Sequence, residues 1–231
     1  MPATRPTLLL FPGLGVGADL FRPQRSINAR IVVPPWPNPM DKESPAHYAH
    51  RMIQGFEPPT NLFLGGMSFG GMLALEAAKY LNPRGVFLIA SARDGRAHAP
   101  LFQLLGRILP TTPLSQIEIL LKLLAPSLVR IVGRPNREQR ELLLHLVRHA
   151  HLPLTRWGAG ASMNYVFTGK LDCPIWHIHG DIDHVVPIAN VRREVDVVVP
   201  NAGHVVNVTH AEVVNAFIEE KMNGNSEKRE T

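Results

Sequence analysis

Short, nearly continuous runs of apolar residues recur along this chain of 231 residues, and segments with the periodicity of amphipathic helices separate most of them. The runs predict six β-strands, at residues 7–11, 30–33, 61–64, 85–90, 174–179 and 194–199. The helical patterns fall at 43–56, directly after Ser68, at 188–193 and at 210–222, and the polar residues 223–231 are expected to fray. Alternating strands and helices predict an α/β fold, with a mostly parallel six-stranded sheet flanked by helices.

The alternation stops between residues 91 and 170, where prolines punctuate leucine-rich helical segments. We interpret residues 91–170 as an inserted helical cap, and residues 1–90 and 171–231 as the core domain. Apolar positions recur at helical spacing in the insertion, and we expect them to face the core domain and to line part of an apolar substrate slot. They are Leu101, Phe102, Leu104, Leu105, Ile108, Ile117, Leu120, Leu121, Leu124, Leu142, Leu143, Leu146 and Val147.

A serine lies on the tight turn that is predicted between the third strand and the following helix. In the segment Gly66-Met67-Ser68-Phe69-Gly70-Gly71, glycines stand two residues before and two residues after Ser68. This arrangement is typical of a nucleophile elbow, in which the serine backbone is strained and neighbouring chain passes too close for a Cβ atom. The strand before the turn and the helix after it are the context that the motif requires, so Ser68 is the candidate nucleophile.

A histidine and an aspartate that could activate this serine follow later in the chain. Asp183 comes shortly after the predicted strand 174–179, and His204 comes shortly after the strand 194–199. Because the carboxyl ends of parallel strands meet at one edge of a sheet, we expect these side chains to lie beside Ser68. The histidine would take the proton of the serine, and the carboxylate would fix the tautomer of the histidine.

Other residues compete for these roles. Asp181 and Asp94, which also follow predicted strands, are alternative acids. His179 lies within a predicted strand and His184 adjoins the candidate acid, so both suit the role of base less well than the histidine after the last strand.

Three further patterns in the sequence do not lead us to predict a functional site. His145, His149 and His151 have a spacing that a metal could use, but no carboxylates accompany them, so we predict no metal. Residues 13–18 match Gly-x-Gly-x-x-Ala, yet no acidic residue ends the next strand, so we predict no dinucleotide and no other cofactor. The single Cys173 has no partner cysteine and is interpreted as a buried structural thiol.

The elbow, the acid loop and the final Gly-His loop together resemble the α/β-hydrolase family in type and in order. They stand here as Gly-Met-Ser-Phe-Gly at 66–70, Gly-Asp-Ile-Asp at 180–183 and Gly-His at 203–204. The resemblance covers the chain outside the insertion and implies an α/β-hydrolase fold in a compact, six-stranded version. It implies that Ser68 is the nucleophile, that His204 is the general base and then the acid, and that Asp183 is the orienting carboxylate.

The resemblance also implies an oxyanion hole made by two backbone N–H groups. One belongs to Phe69, the residue after the nucleophile, and the other, in the loop after the first strand, corresponds to Leu14. Many family members have a histidine before the first glycine of that loop, whereas Pro12 stands here. We therefore expect the contacts that support this loop to differ from those in the members that have the histidine.

The net charge of +5 is concentrated in one part of the chain. Residues 94–160 hold nine basic residues against four acids, and the remainder of the chain is balanced. The plain interpretation is a solvated helix face, and the alternative is attraction of an anionic acyl carrier or coenzyme A. The basic residues are not interleaved with aromatics, so we expect no nucleic acid partner. No apolar run has the length of a membrane span or of a secretory signal, so we expect a cytoplasmic protein without a membrane span.

These features predict a serine-dependent hydrolase that cleaves carboxylic esters or thioesters through an acyl-serine intermediate. A small or medium acyl ester is the default substrate, as for a carboxylesterase. The basic, apolar insertion makes a thioesterase or carrier-protein ester hydrolase the leading variant. A non-catalytic ligand-binding homologue with the same fold is the further alternative.

Overall fold

The computed structural model describes residues 5–227 and contains a six-stranded sheet in which all neighbouring strands are parallel. In chain order the strands are β1 (Thr7–Phe11), β2 (Arg30–Val32), β3 (Leu62–Met67), β4 (Val86–Ile89), β5 (Ile175–Gly180) and β6 (Val197–Val199). Their spatial order is β2-β1-β3-β4-β5-β6, which confirms the predicted α/β fold. The order reverses between β1 and β3, and α/β proteins bind their ligands at such a switch point.

Helices flank the sheet on both faces. The helices of the described residues are α1 (Pro45–Met52), α2 (Phe69–Leu81), α3 (Pro100–Ile108), α4 (Leu114–Ile131), α5 (Arg137–Arg148), α6 (Leu152–Met163), α7 (Ile188–Val191), α8 (Val206–Thr209) and α9 (Ala211–Glu227). Helices α1 and α2 cover one face, whereas α8, α9 and a 3-10 helix at Ala18–Ser26 cover the other. None of the described helices combines the length and the apolar character needed to cross a bilayer.

Alternate residues of β1 explain how both faces are covered. Leu8 and Leu10 pack toward α8 and α9, whereas Leu9 and Phe11 pack toward α1 and α2. All four side chains are at most 1% exposed. Successive residues of a strand point to opposite faces, and burial of each such side chain stabilises the fold by roughly 1.5–3 kcal/mol.

Several element boundaries differ from the prediction. Strand β3 continues to Met67, because Gly65 and Gly66 pair with β1 and β4 and do not end the strand. A Cβ atom on Gly65 would lie only 3.0–3.1 Å from side-chain atoms of Leu10 and Phe87, so glycine fits this position. Strand β6 is shorter than predicted, because residues 192–194 form a 3-10 turn. Helix α9 extends into the tail that was expected to fray, and residues 228–231 of that tail lie outside the described residues.

Helices α3 to α6 occupy the segment between β4 and β5 that was predicted to be inserted. The expectation that its apolar positions all face the core is wrong for five of them. These five, each 42–56% exposed, are Leu101, Leu104, Ile108, Leu120 and Leu124. The reason in α4 is that apolar residues surround most of the helix, while its contact side is already filled by Ile117, Ala125 and Val129, each at most 1% exposed.

Candidate active site

Ser68 lies between β3 and α2 in a backbone conformation that residues with side chains seldom adopt. Its φ is 54° and its ψ is −123°, and such a conformation costs about 1–3 kcal/mol. The N–H of Ser68 donates to the carbonyl of Ile89 at 2.9 Å, and the carbonyl of Ser68 accepts the hydroxyl of Ser91 at 2.7 Å. Strand β4 and the residue two positions beyond it therefore hold the strained turn.

The two glycines that flank Ser68 are required because the backbone approaches itself closely. A Cβ atom on Gly66 would collide with the backbone of Gly70, and a Cβ atom on Gly70 would collide with the carbonyl oxygens of Phe11 and Pro12. The turn therefore packs directly against the carboxyl end of β1, at the switch point of the sheet.

The structure brings Ser68, His204 and Asp183 into one chain of hydrogen bonds. Oγ of Ser68 is 2.8 Å from Nε2 of His204, and Nδ1 of His204 is 2.8 Å from Oδ2 of Asp183. A carboxylate only accepts, so Nδ1 carries the proton and Nε2 can accept the hydroxyl proton of Ser68. Asp183 and His204 are 4% and 6% exposed, so water has little access to the hydrogen bond between them.

Backbone donors and histidines surround the carboxylate of Asp183. Oδ1 accepts the N–H groups of Val185 at 2.8 Å and Val186 at 2.9 Å. Burial alone would raise the pKa of Asp183, but the adjacent His204 and the hydrogen bonds from His179 and His204 outweigh it and hold the pKa well below its usual range. Asp183 is therefore ionised at neutral pH and can stabilise a positive charge on His204.

A second histidine contacts Asp183 from β5. Nε2 of His179 lies 3.1 Å from Oδ2 of Asp183 and 2.8 Å from the carbonyl oxygen of Val186, so this nitrogen carries a proton. Nδ1 of His179 lies 3.1 Å from Nε2 of His177, and both rings are fully buried. Burial, with a smaller contribution from His179, lowers the pKa of His177 to about 3. The sequence signal that could have identified this pair is the spacing of His177 and His179, two polar residues on the same face of an otherwise apolar strand.

The other sequence candidates lie outside this chain of hydrogen bonds. Asp181 and His184 are exposed, and the carboxylate of Asp94 pairs with Arg96 at 2.6 Å. Within the part of the chain that the structure describes, no group of three or more His, Cys, Asp or Glu side chains could hold a metal ion.

The loop after β1 and the first turn of α2 flank Ser68 on its other side. Leu14 and Phe69 both line the cavity that Ser68 borders, and their N–H groups donate to no other described residue. Phe69 begins α2, where backbone N–H groups have no acceptor within the helix and the helix dipole is positive. The loop itself is held to the start of α6, since the carbonyl of Gly15 accepts the N–H of His151 at 2.8 Å.

A cavity of about 240 Å³ opens beside Ser68 and His204. Its wall is mostly apolar and includes residues of the segment between β4 and β5, among them Phe102 and Val129. His98, from the loop before α3, adds a polar group to the wall. His98 is not predicted from the sequence, because it stands between two alanines and belongs to no motif.

Comparisons with known proteins agree with this architecture. The model of the alpha/beta hydrolase family matches residues 8–217, whereas no curated protein matches the chain. Among solved structures, a thermophilic esterase from Thermogutta terrifontis superposes with a TM-score of 0.75 and 17% identity, over 96% of this chain and 91% of that chain. A putative aryl esterase from Burkholderia cenocepacia gives a TM-score of 0.73 and 14% identity, over 98% and 93% of the two chains.

YbtT, a type II thioesterase from the Yersiniabactin NRPS/PKS biosynthetic pathway, superposes with a TM-score of 0.64 and 18% identity, over 97% of this chain and 96% of that chain. At such low identities the superpositions show a common fold and nothing finer. The family model, by contrast, spans most of the sequence, from β1 into α9. This chain therefore belongs to the alpha/beta hydrolase family.

Proposed function

We propose that the protein is a serine hydrolase that cleaves carboxylic esters or thioesters through an acyl-serine intermediate. The observation that carries the proposal is the chain of hydrogen bonds from Ser68 through His204 to Asp183, beside an apolar cavity. A serine hydroxyl becomes an effective nucleophile when a positioned base takes its proton and an acid orients that base. In this proposal the three residues are a catalytic triad.

In the proposed reaction, Oγ of Ser68 attacks the carbonyl carbon of the substrate while Nε2 of His204 takes the hydroxyl proton. The carbonyl oxygen becomes an oxyanion, which the N–H groups of Leu14 and Phe69 stabilise. Collapse of this intermediate expels the alcohol or thiol, which receives the proton from His204, and leaves an acyl-serine ester. Water then attacks the acyl group with His204 as base, and the acid leaves as the proton returns to Ser68.

We also propose that residues 91–170 cap the site. Phe102 and Val129 of this segment line the cavity together with Leu14 and Met67 of the core, so an acyl group would be enclosed between the two parts. An apolar cavity of about 150 Å³ holds one benzene ring. By proportion, the 240 Å³ cavity holds an acyl group of up to roughly ten carbons.

The experiment that tests this function is hydrolysis of nitrophenyl esters with two to twelve acyl carbons. The wild-type protein should turn over esters within the size limit of the cavity, and Ser68→Ala should lower kcat by at least about 10³-fold. Ser115→Ala, which changes an exposed serine of α4, is the matched control and should retain full activity. Turnover that survives Ser68→Ala would contradict the serine mechanism.

A thioester on an anionic carrier is the second candidate substrate, because a loop that contacts the site is followed by exposed arginines. The N–H of Val205, beside His204, donates to the carbonyl of Val132 at 3.1 Å, so the loop after α4 contacts the loop that carries the base. Three exposed arginines follow this contact in the chain, and they are Arg134, Arg137 and Arg140. A type II thioesterase is also among the structural neighbours.

Changing these three arginines to glutamate should lower kcat/KM for an acyl-coenzyme A substrate about tenfold at low salt, because exposed charges steer anionic partners. The same change should remove most of the salt dependence of the rate. The matched control changes Arg30, Arg192 and Arg193, exposed basic residues of the core, to glutamate. Wild-type rates that do not respond to salt would count against the carrier and leave a simple ester as the substrate.

A further inference from the structure

The imidazole of His98 is a buried polar group that the proposed chemistry does not use. It is 5% exposed and lines the cavity that Ser68 and His204 border. Its Nδ1 lies 2.8 Å from the carbonyl oxygen of Gly95. A carbonyl oxygen only accepts hydrogen bonds, so Nδ1 carries the proton and Nε2 carries a lone pair.

This lone pair has no partner in the fold. Nε2 of His98 makes no hydrogen bond with any described residue. Nε2 is also not sealed inside the protein, because it retains accessible surface. Because the ring borders the cavity, we assign the accessible space at Nε2 to the cavity. Buried polar groups are nearly always hydrogen-bonded, so an open acceptor in an apolar cavity indicates a partner supplied by the ligand.

The backbone around His98 is fixed, so the ring is presented in a defined position. The N–H of His98 donates to the carbonyl of Gly95 at 3.2 Å. The carbonyl of His98 accepts a hydrogen bond from Nε2 of Gln103 at 2.8 Å. The next residue, Ala99, donates its N–H to the carbonyl of Val185 at 2.9 Å, in the loop that carries the candidate acid. A group held in this way binds a partner without a further loss of conformational freedom.

His98 is neutral at physiological pH. Burial lowers the pKa of His98, and the hydrogen bond to the carbonyl of Gly95, which raises the pKa, offsets this only in part. A neutral acceptor in an apolar wall favours a hydrogen-bond donor on the ligand. A carboxylate on the acyl chain would place an acceptor against an acceptor and would lose its hydration.

We propose that His98 is a specificity-determining residue that selects acyl groups bearing a hydroxyl, which donates a hydrogen bond to Nε2. The proposal rests on the function proposed above and narrows its substrate class to hydroxyacyl esters or thioesters. An unsubstituted acyl chain of the same length fills the apolar cavity but leaves the acceptor without its donor. The resulting preference for the hydroxylated chain is expected to be about tenfold to a hundredfold in kcat/KM.

The test compares nitrophenyl esters of one chain length that are unsubstituted, hydroxylated at the second, third or fourth carbon, or terminated by a carboxylate. The wild-type protein should prefer one hydroxylated ester by at least about tenfold over the unsubstituted ester and should disfavour the carboxylate. His98→Leu should abolish the preference, measured as the ratio of kcat/KM for the hydroxylated ester to kcat/KM for the unsubstituted ester. His98→Gln, which keeps a polar group at this depth, should restore part of the preference.

Activity on the unsubstituted ester reports that a variant is folded and that the serine chemistry is intact. Hydrolysis with no preference for any hydroxylated ester, or a preference that survives His98→Leu, would overturn the role of His98 and leave the serine hydrolase standing. If no ester is hydrolysed, the proposed function fails, and calorimetry with the N-methyl amides of the same acids decides. Tighter binding of a hydroxylated amide that is lost in His98→Leu supports the subsite, and equal binding overturns it.

Discussion

The two oxygens of the Asp183 carboxylate have different partners. Oδ1 accepts two backbone N–H groups, from Val185 and Val186, whereas Oδ2 faces the rings of His204 and His179. A buried carboxylate without such donors would be unstable in its charged form. The acid loop therefore keeps Asp183 ionised and holds Oδ2 where it fixes the tautomer of His204. Asp181, which is exposed, has no comparable surroundings.

Asp183→Asn should lower kcat about 10⁴-fold with little change in KM, because the amide no longer fixes the base in the tautomer that accepts the serine proton. Steady-state kinetics on the best nitrophenyl ester measure this effect. Asp181→Asn is the matched control, and its kcat should stay within about twofold of the wild-type value. A large loss in the control with a small loss in Asp183→Asn would transfer the acid role to Asp181.

At the scale of elements, the turn between β3 and α2 depends on close backbone contact with β1. Gly70→Ala would place a methyl group against the carbonyl oxygens of Phe11 and Pro12. Alanine is the better helix former, so its intrinsic propensity would favour the substituted α2. We expect the collision to outweigh this gain and to lower the free energy of unfolding by at least about 3 kcal/mol.

Thermal unfolding measures this effect, and a loss of that size lowers Tm by roughly 6–12 °C in a domain of this length. Gly17→Ala is the control, because nothing lies within 4 Å of the added Cβ atom and the φ of Gly17 is −89°. Its Tm should stay within about 2 °C of the wild-type value. Equal Tm values for Gly70→Ala and Gly17→Ala would contradict the prediction, because the backbone at the turn would then have room for the added methyl group.

The sequence predicts the elements that are buried on both sides better than those that face solvent. Strands β1 and β4 and the turn at Ser68 carry their signal in local composition. The 3-10 helix at Ala18–Ser26 does not, because Pro23 and a kink at Phe21 interrupt any regular period. The outward apolar faces of α3 and α4 and the position of His98 depend on how distant segments pack, which local patterning does not encode.

At the scale of the whole molecule, buried histidines link the stability of the fold to pH. Burial lowers the pKa of His98, and it lowers the pKa of His177 to about 3. In the unfolded chain both side chains titrate near 6.5, so below that pH the unfolded state binds more protons than the folded state. The stability that these two neutral histidines contribute is therefore fully present above about pH 6.5. It is lost as the pH falls toward their pKa values in the folded state.

We expect the free energy of unfolding to fall between pH 6.5 and pH 4.5, with His177 contributing about 1.4 kcal/mol for each pH unit. The lowered pKa of Asp183 adds a further loss only below about pH 4, where that carboxylate would protonate in the unfolded chain. Urea unfolding at a series of pH values measures the slope. His177→Gln, which keeps a donor toward His179, should make the slope shallower by His177's share, and an unchanged slope would contradict a neutral His177.

Residues from distant parts of the sequence meet at the cavity, so the site belongs to the whole chain. Ser68, Asp183 and His204 come from three loops at one edge of the sheet, and about half of the apolar wall that faces them comes from residues between β4 and β5. The central claim is that an acyl group passes through the hydroxyl of Ser68 in this space.

Mass spectrometry of the protein, acid-quenched during turnover of a nitrophenyl ester, tests that claim most directly. The account predicts that a fraction of the protein gains the mass of one acyl group, that peptide mapping places the group on Ser68, and that Ser68→Ala shows neither the adduct nor turnover. Turnover that persists in Ser68→Ala, or an acyl group mapped to another side chain such as Cys173, would contradict it.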